Sequence, residues 1–401
     1  MTGAPGNATA APGAPTASRW LGLDALRGAT IAAMILVNNP GRWGDSYQYA
    51  PLRHAAWHGC TFTDLVFPAF LFCAGVAIVP ALGRKVEAGL PRGPLALGIG
   101  RRVLSLVLLG LLLSAFPLMK FGELAADQSR WGPLLSVRFP GVLQRIGVCY
   151  GIAALLFVFT SRCTQRLVLL GCLFLYWPLI TLVPVPGVGP PDLDVPAQTL
   201  QGWLDRTVFG THIWREAKVY DPEGLLSTIP ALATALFGVC CGRVLREGGD
   251  VASKVATLLR LGAMWMLGGA VWSWFLPLNK PIWTSSYAVW TAGIAATGLA
   301  LCVWAFELRG WTKWARPLQV YGVNALLVFV GSGLLGRVVG SLVKVNVDGK
   351  DIAVKDWFFS NCLLAPIGDT KLASLAFALL WILGWYAVLA PLWRRGIVWR
   401  V

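Results

Sequence analysis

Charge is scarce in this sequence. Only 13% of its 401 residues are Asp, Glu, Lys or Arg, against about 25% in soluble globular domains, while 56% are hydrophobic and the mean hydropathy is +0.63. A chain so poor in charge cannot coat itself for water, so most of it must face lipid or other apolar helices. Acidic residues are the rarer sign: 19 Asp and Glu against 34 Lys and Arg leave a net charge of +15. The basic residues fall in short clusters between long apolar runs and not along one amphipathic face, which argues against nucleic acid as a partner and marks the clusters as topology signals. Residues 1–18 have neither the basic start nor the apolar run of a secretory signal. They are expected to form a disordered cytoplasmic tail ahead of one transmembrane domain over 19–401.

Metal-site spacing is also lacking. The nine cysteines form no CxxC and pair with no histidine at a ligand interval, so no resident metal is expected. Most, such as Cys73, Cys149 and Cys241, lie inside apolar runs as small buried side chains. Cys60 and Cys362 are the two in expected outer connections, where a disulfide would have to form. No internal repeat is visible either, which speaks against a transporter built from inverted halves.

What the sequence does have is apolar runs long enough to cross about 30 Å of hydrocarbon. They fall at 23–39, 64–83, 99–119, 141–160, 166–185, 225–245, 256–276, 284–305, 318–340 and 371–393. The fold class is therefore all-α, a polytopic membrane bundle of about ten helices with both termini on one side. One set of connections is short and basic, with Arg84, Lys85, Arg92, Arg101 and Arg102, then Arg162 and Arg166, then Arg243, Arg246, Lys254 and Arg260, then Arg309, Lys313 and Arg316. Arg19 precedes the first helix, and Arg394, Arg395 and Arg400 follow the last. The alternate connections are longer and carry Glu123, Asp127, Asp192, Asp194, Asp205 and Glu216. The positive-inside rule puts the compact basic set, and both termini, in the cytoplasm of a multi-pass inner-membrane protein.

Histidine is the rarest chemical resource, with three in the chain. Two of them, His54 and His58, lie in R-H-A-A-W-H-G-C-T-F-T-D-L-V-F-P, between the first two helices and just after L-V-N-N-P-G. That concentrates Asn38, Asn39, His54, His58 and Asp64 at the outer ends of adjacent helices. A neutral imidazole can take a proton from an attacking amine or hydroxyl, or can itself accept an acyl group; Asp64 can orient it, and the amides of Asn38 or Asn39 can stabilise an oxyanion. The same spacing also suits a histidine pair that caps a helix, or the start of a two-histidine metal site. His212, in the long outer loop, has no obvious partner and is expected on the surface.

Other polar residues sit at costly depths. Asp24 and Arg27 in L-D-A-L-R-G either pair with each other or leave Arg27 at the basic mouth of a cavity. Arg145, in R-F-P-G-V-L-Q-R-I-G, falls just inside the outer end of the fourth helix, where it either snorkels or lines a cavity. Asp221 and Glu223, in Y-D-P-E-G-L-L-S-T-I-P, either serve a helix N-terminus or touch substrate. Asn279 and Lys280 lead N-K-P-I-W-T-S-S-Y, and Tyr321 and Asn324 form a polar pair at the ninth helix.

At these motifs the sequence resembles the transmembrane acyltransferases related to heparan-α-glucosaminide N-acetyltransferase, together with their bacterial homologues. The matching pieces are D-A-L-R-G with L-V-N, the H-A-A-W to D-L-V-F-P segment, R-F-P-G-V-L-Q-R-I-G-V, Y-D-P-E-G-L-L-S-T-I-P, P-L-N-K-P-I-W-T-S-S-Y and V-Y-G-V-N-A, in the family's order along nearly the whole chain. Against the lysosomal enzyme the protein is expected to lack the large N-terminal luminal region and its extra helix, His58 stands where Asn is expected, and the interval from Asn38 to His54 is longer. The resemblance implies transfer of the acetyl group of cytoplasmic acetyl-CoA to an amino sugar across the membrane, by a protein whose relatives form dimers. It also implies that His54 is the catalytic histidine, Asn38 the asparagine of L-V-N and Asp64 the aspartate of D-L-V-F-P. CoA is polyanionic and cannot cross the bilayer, so its thioester would have to reach His54 through the bundle. Arg27, Arg101 and Arg102 are the candidates for phosphate contacts at the cytoplasmic mouth, with Arg145 further along. Asn39, His58, Asp221, Glu223, Asn279 and Lys280 are the expected acceptor contacts. Two alternatives are an O-acetyltransferase of cell-envelope glycans and a sugar transporter that uses Asp24, Arg27 and Asp64.

Overall fold

The structure, a computed structural model, describes residues 20–117 and 136–399; the expected tail over 1–18, with Arg19, Glu123, Asp127 and Arg400, lies outside the described residues. Apolar composition sets the architecture, because a backbone in lipid must satisfy its own hydrogen bonds and a helix does so within one segment. The first spans are α1 (Leu21–Asn38), α2 (Phe62–Glu87), α3 (Arg92–Ala115), α4 (Val142–Phe159) and α5 (Arg162–Leu182). A short helix outside the bundle, α6 (Leu200–Phe209), follows in the longest connection. Then come α7 (Thr228–Arg246), α8 (Val251–Trp272) and α9 (Ser285–Leu308), the helix α10 (Thr312–Val323), and the spans α11 (Ala325–Leu342) and α12 (Thr370–Arg394). A two-stranded antiparallel hairpin, β1 (Lys344–Val347) and β2 (Lys350–Ala353), sits between the last two. The chain is thus an all-α polytopic bundle with ten helices long and apolar enough to cross a membrane among the described residues.

The connections sort by end. At one end Trp57 donates to the Leu193 carbonyl at 2.7 Å, the Gly59 amide to Leu278 at 2.7 Å and the Phe139 amide to His212 at 3.0 Å, which draws the long connections together. At the other, Arg162 meets Glu247 at 2.8 Å and Arg246 pairs with Glu87. The first is the loop end of the bundle and the second its basic end. The ninth expected run, 318–340, is divided: the chain breaks at Asn324, whose side chain accepts from the Trp399 amide at 2.9 Å and donates to the Ile397 carbonyl at 3.2 Å. A side chain spent on the C-terminal segment leaves Asn324 out of helical register, and the span starts one residue later.

Close backbone approach holds the centre. A methyl group on Gly75 of α2 would fall 1.9 Å from the Ala235 carbonyl oxygen, and one on Gly238 of α7 would fall 2.1 Å from that of Phe72. Two helices can touch in this way only where both faces are small, the usual basis of association in lipid. Gly238→Leu should therefore force the pair apart at a cost of roughly 1–3 kcal/mol or more; the check is a lower unfolding midpoint in detergent than for wild type, which an exposed Gly384→Leu control should retain.

Candidate active site

Asp64 occupies the first turn of α2, where free backbone amides invite an acceptor. Its Oδ2 accepts from the amides of Thr61 and Ala55, both at 3.0 Å, and the Thr61 hydroxyl ties the same loop down through the Arg53 carbonyl at 2.6 Å. Tyr287 of α9 donates to the Asp64 carbonyl at 2.6 Å. The carboxylate, 1% exposed, has one oxygen left, and His54 Nδ1 lies 2.6 Å from it. An ionised carboxylate only accepts, so Nδ1 carries the proton and the lone pair is on Nε2. The imidazole itself is 49% exposed. Lys280, 17% exposed, brings Nζ to 3.2 and 3.3 Å from the two ring nitrogens and 3.9 Å from Asp64. Burial pushes the Lys280 pKa below its ordinary value, with Asp64 and Glu223 opposing the shift.

His54, Asp64 and Lys280 line one cavity of about 850 Å³. Asn38, at the end of α1, lines it as well and is exposed toward it. Asn39 does not: its amide donates to the Ile35 carbonyl at 3.0 Å and to Ser332 at 3.3 Å. The outer wall is aromatic, with Trp43, Trp57, Trp214 and Tyr220, and carries the carboxylates Glu216 and Glu223. Inward, the cavity reaches Met34, Phe70 and Phe329 between the helices. A smaller cavity of about 300 Å³ enters from the basic end, lined by Arg27, Arg102, Tyr150 and Trp399, and it too ends on Phe70. Arg27 pairs with Asp24 at 2.5 Å, while its Nε is buried without a hydrogen-bond partner among the described residues. Arg102 lies 4.5 Å from the centre of the Tyr150 ring. Arg101 is exposed and lines neither cavity.

Several expected contact residues build the walls instead of facing the cavity. Asp221 is fully buried and clasped by Arg138 through Nε at 2.7 Å and through Nη2, and it also accepts from the Trp214 and Glu223 amides at 2.9 Å. The same guanidinium bonds Glu223, which does line the cavity. Burial pushes the Glu223 carboxyl up, yet Arg138, with Arg145 and Lys280, holds it below its ordinary value. Asp205 of α6 underpins the turn by accepting the Asp221 and Leu225 amides at 3.0 and 3.1 Å; burial lifts its pKa to about 6. Arg145 is buried, donating to the Gly224 carbonyl at 2.9 Å and to Ser227, over the Trp283 ring. His58 is a brace between Asp194 at 2.8 Å and Asn279 at 3.2 Å, and Asn279 accepts from the Ile282 amide at 3.0 Å. His212 has a partner after all, the Val137 carbonyl at 2.7 Å, and stacks on Phe139. Sequence reasoning passed over Arg138, although it opens the motif that contains Arg145. Arg138→Ala should leave the Asp221 charge buried and unpaired, a loss of about 3–5 kcal/mol, read as a fall in the unfolding midpoint that Arg138→Lys partly restores.

All nine cysteines are free thiols, Cys60 and Cys362 included; burial raises the Cys60 pKa to about 12, which keeps it protonated beside the site. Among the described residues, no group of three or more His, Cys, Asp and Glu is placed to hold a metal ion.

The profile of the family described as heparan-alpha-glucosaminide N-acetyltransferase, catalytic, matches residues 19–269. The heparan-alpha-glucosaminide N-acetyltransferase of Mus musculus is 28% identical over 370 residues, covering 80% of this chain and 54% of the mouse protein. That of Homo sapiens is 29% identical over 365 residues, covering 78% of this chain and 52% of the human protein. The chain therefore spans about half the length of the curated relatives it matches. The matched region contains α1, α2 and the His54–Asp64 pair, and the chain belongs to the heparan-alpha-glucosaminide N-acetyltransferase catalytic family.

Proposed function

We propose that this protein is a transmembrane N-acetyltransferase of the bacterial inner membrane, moving the acetyl group of cytoplasmic acetyl-CoA to the amine of a glucosamine-type sugar at the loop end. The observation that carries this is the meeting of two cavities at Phe70, one holding the His54–Asp64 pair and the other Arg27 and Arg102. A donor anchored by its phosphates at the basic end needs only its narrow pantetheine arm to pass the bundle. Along α1, Arg27 and Asn38 are separated by roughly 17 Å of helical rise, which an extended arm can bridge. The unpartnered Nε of Arg27 supports a phosphate contact there.

The acceptor side has matching chemistry. Flat aromatic walls suit the faces of a sugar ring, and the Glu216 and Glu223 carboxylates can accept hydrogen bonds from its neutral amine. In direct transfer, the amine nitrogen attacks the thioester carbon, the C–N bond forms and the C–S bond breaks; the amine proton passes to His54 Nε2 and then to the departing thiolate. In a relay, the Nε2 lone pair attacks the thioester carbon and the C–S bond breaks to release the thiolate; the amine then attacks the acetyl carbon, the C–Nε2 bond breaks, and the amine proton passes through the freed Nε2 to the thiolate. Asn38 and Lys280 line the cavity as donors for the developing oxyanion in either course.

The test is purified protein in liposomes supplied with labelled acetyl-CoA and, side by side, glucosamine, chitooligosaccharides and hydroxyl acceptors. Acetylated amine as the main product supports the proposal. Ester products would make it an O-acetyltransferase, and sugar uptake without any need for acetyl-CoA would make it a transporter.

A further inference from the structure

A third cavity, of about 600 Å³, shares no lining residue with the two above. It is a slot among α5, α7 and α8, and its two ends differ in chemistry. At the basic end stand three guanidinium groups, Arg162, Arg166 and Arg243, against one carboxylate, Glu247. Arg162 donates to Glu247 at 2.8 Å, and Arg243 donates to Gln165 and leans on the Phe157 ring. Arg166 is exposed and makes no hydrogen bond or ion pair among the described residues. Three like charges converge there, and one neighbouring carboxylate leaves most of that repulsion standing; a further anion would relieve it.

The remainder of the slot is apolar. Leu169, Leu170 and Leu173 of α5 face Leu261 and Trp265 of α8, and the stacked rings of Phe174 and Trp272, 4.9 Å apart, stand at its far end. From Arg162 to Phe174 the helix rises roughly 18 Å, close to one leaflet of a hydrocarbon core of about 30 Å. The side walls are open to the bilayer: Leu170 is 46% and Met264 57% exposed. A row of guanidinium groups at membrane-surface depth, continued by an apolar slot one leaflet long, has the shape and charge of a phospholipid.

We propose that this slot is a binding site for an anionic phospholipid, with the phosphate of its headgroup between Arg162, Arg166 and Arg243 and one acyl chain along α5 toward Trp272. Soluble anions share the phosphate chemistry but not the chain; zwitterionic lipids share the chain but offset the phosphate charge. Specificity thus rests on both ends together.

Native mass spectrometry on protein taken from phosphatidylcholine nanodiscs doped with phosphatidylglycerol tests this directly. Wild type should retain phosphatidylglycerol in preference to phosphatidylcholine. The exposed pair Arg162→Gln and Arg166→Gln should weaken that retention by roughly thirtyfold, at about 1 kcal/mol for each basic residue near an anionic lipid. Met264→Trp, which fills the slot and leaves the charges in place, should expel the lipid and also covers the case in which the double variant is unstable. Equal retention of the two lipids, displacement of phosphatidylglycerol by inorganic phosphate alone, or a folded Met264→Trp variant that keeps its phosphatidylglycerol would each overturn the proposal.

Discussion

Replacing His54 with alanine should abolish acetyl transfer while leaving a folded protein. The imidazole is half exposed and tied to the bundle through Asp64 Oδ1 and the Lys280 ammonium, so little packing is lost with it. The vacated carboxylate oxygen costs about 1–3 kcal/mol when unsatisfied, and Lys280, already 3.9 Å away, can move in to limit that cost. Chemistry has no such substitute. Loss of a general base alone lowers the rate by about 10²–10⁴, and if Nε2 also carries the acetyl group the loss is larger. Initial rates at saturating acetyl-CoA give the answer: a monodisperse alanine variant with more than a tenth of wild-type turnover would sink the assignment. Labelled acetyl-CoA without acceptor then separates the two courses, since only the relay leaves label on His54.

Asp64→Asn should be nearly as damaging, for a subtler reason. Two backbone amides at 3.0 Å will keep the asparagine carbonyl oxygen where Oδ2 was, so its NH₂ group must face His54 Nδ1. Both would then be donors unless the imidazole proton moves to Nε2. The ring stays in place with the wrong nitrogen free, and the cavity is offered a donor where it needs an acceptor. An asparagine at the equivalent position of a serine-protease triad lowers turnover by about 10⁴ through the same tautomer error. The expected signature here is a loss in kcat of about 10³-fold or more with KM for acetyl-CoA unchanged and an unfolding midpoint close to wild type. If kcat and midpoint fall together, Asp64 is holding up α2 and little else.

The bundle was legible because lipid leaves few choices. Apolar runs of spanning length, separated by basic clusters on alternate turns, define ten crossings, and the structure moves their ends by only a few residues, apart from α3, which extends back to Arg92. The exception with a reason is the interruption at Asn324, which depends on a contact with Trp399 that no local pattern reveals. The candidate site was legible in part. Asn38, His54 and Asp64 are close in sequence and at helix ends, so topology alone brings them together. Lys280 arrives from a different connection, more than two hundred residues on. Asp221, Asn279, His58 and Arg145 carry the same polar signal, but they spend it on each other's loops. Sequence marks a polar side chain at the loop end; it does not say whether that side chain faces a cavity or a neighbouring turn.

The partition at Phe70 has an electrical consequence. When water and ions fill the cavities on either side, each conducts the potential of its own bulk phase inward, so most of the membrane voltage must fall across the short stretch of protein around one aromatic ring. A group carrying a unit charge through that stretch would feel nearly the whole drop, about 2.3 kcal/mol for each 100 mV. A neutral thioester arm crosses such a field without cost, whereas a free thiolate does not. The ring that lines both cavities is in the same stroke the dielectric of a capacitor, and its replacement by a small residue should show up as proton leak in energised vesicles before it shows up in turnover.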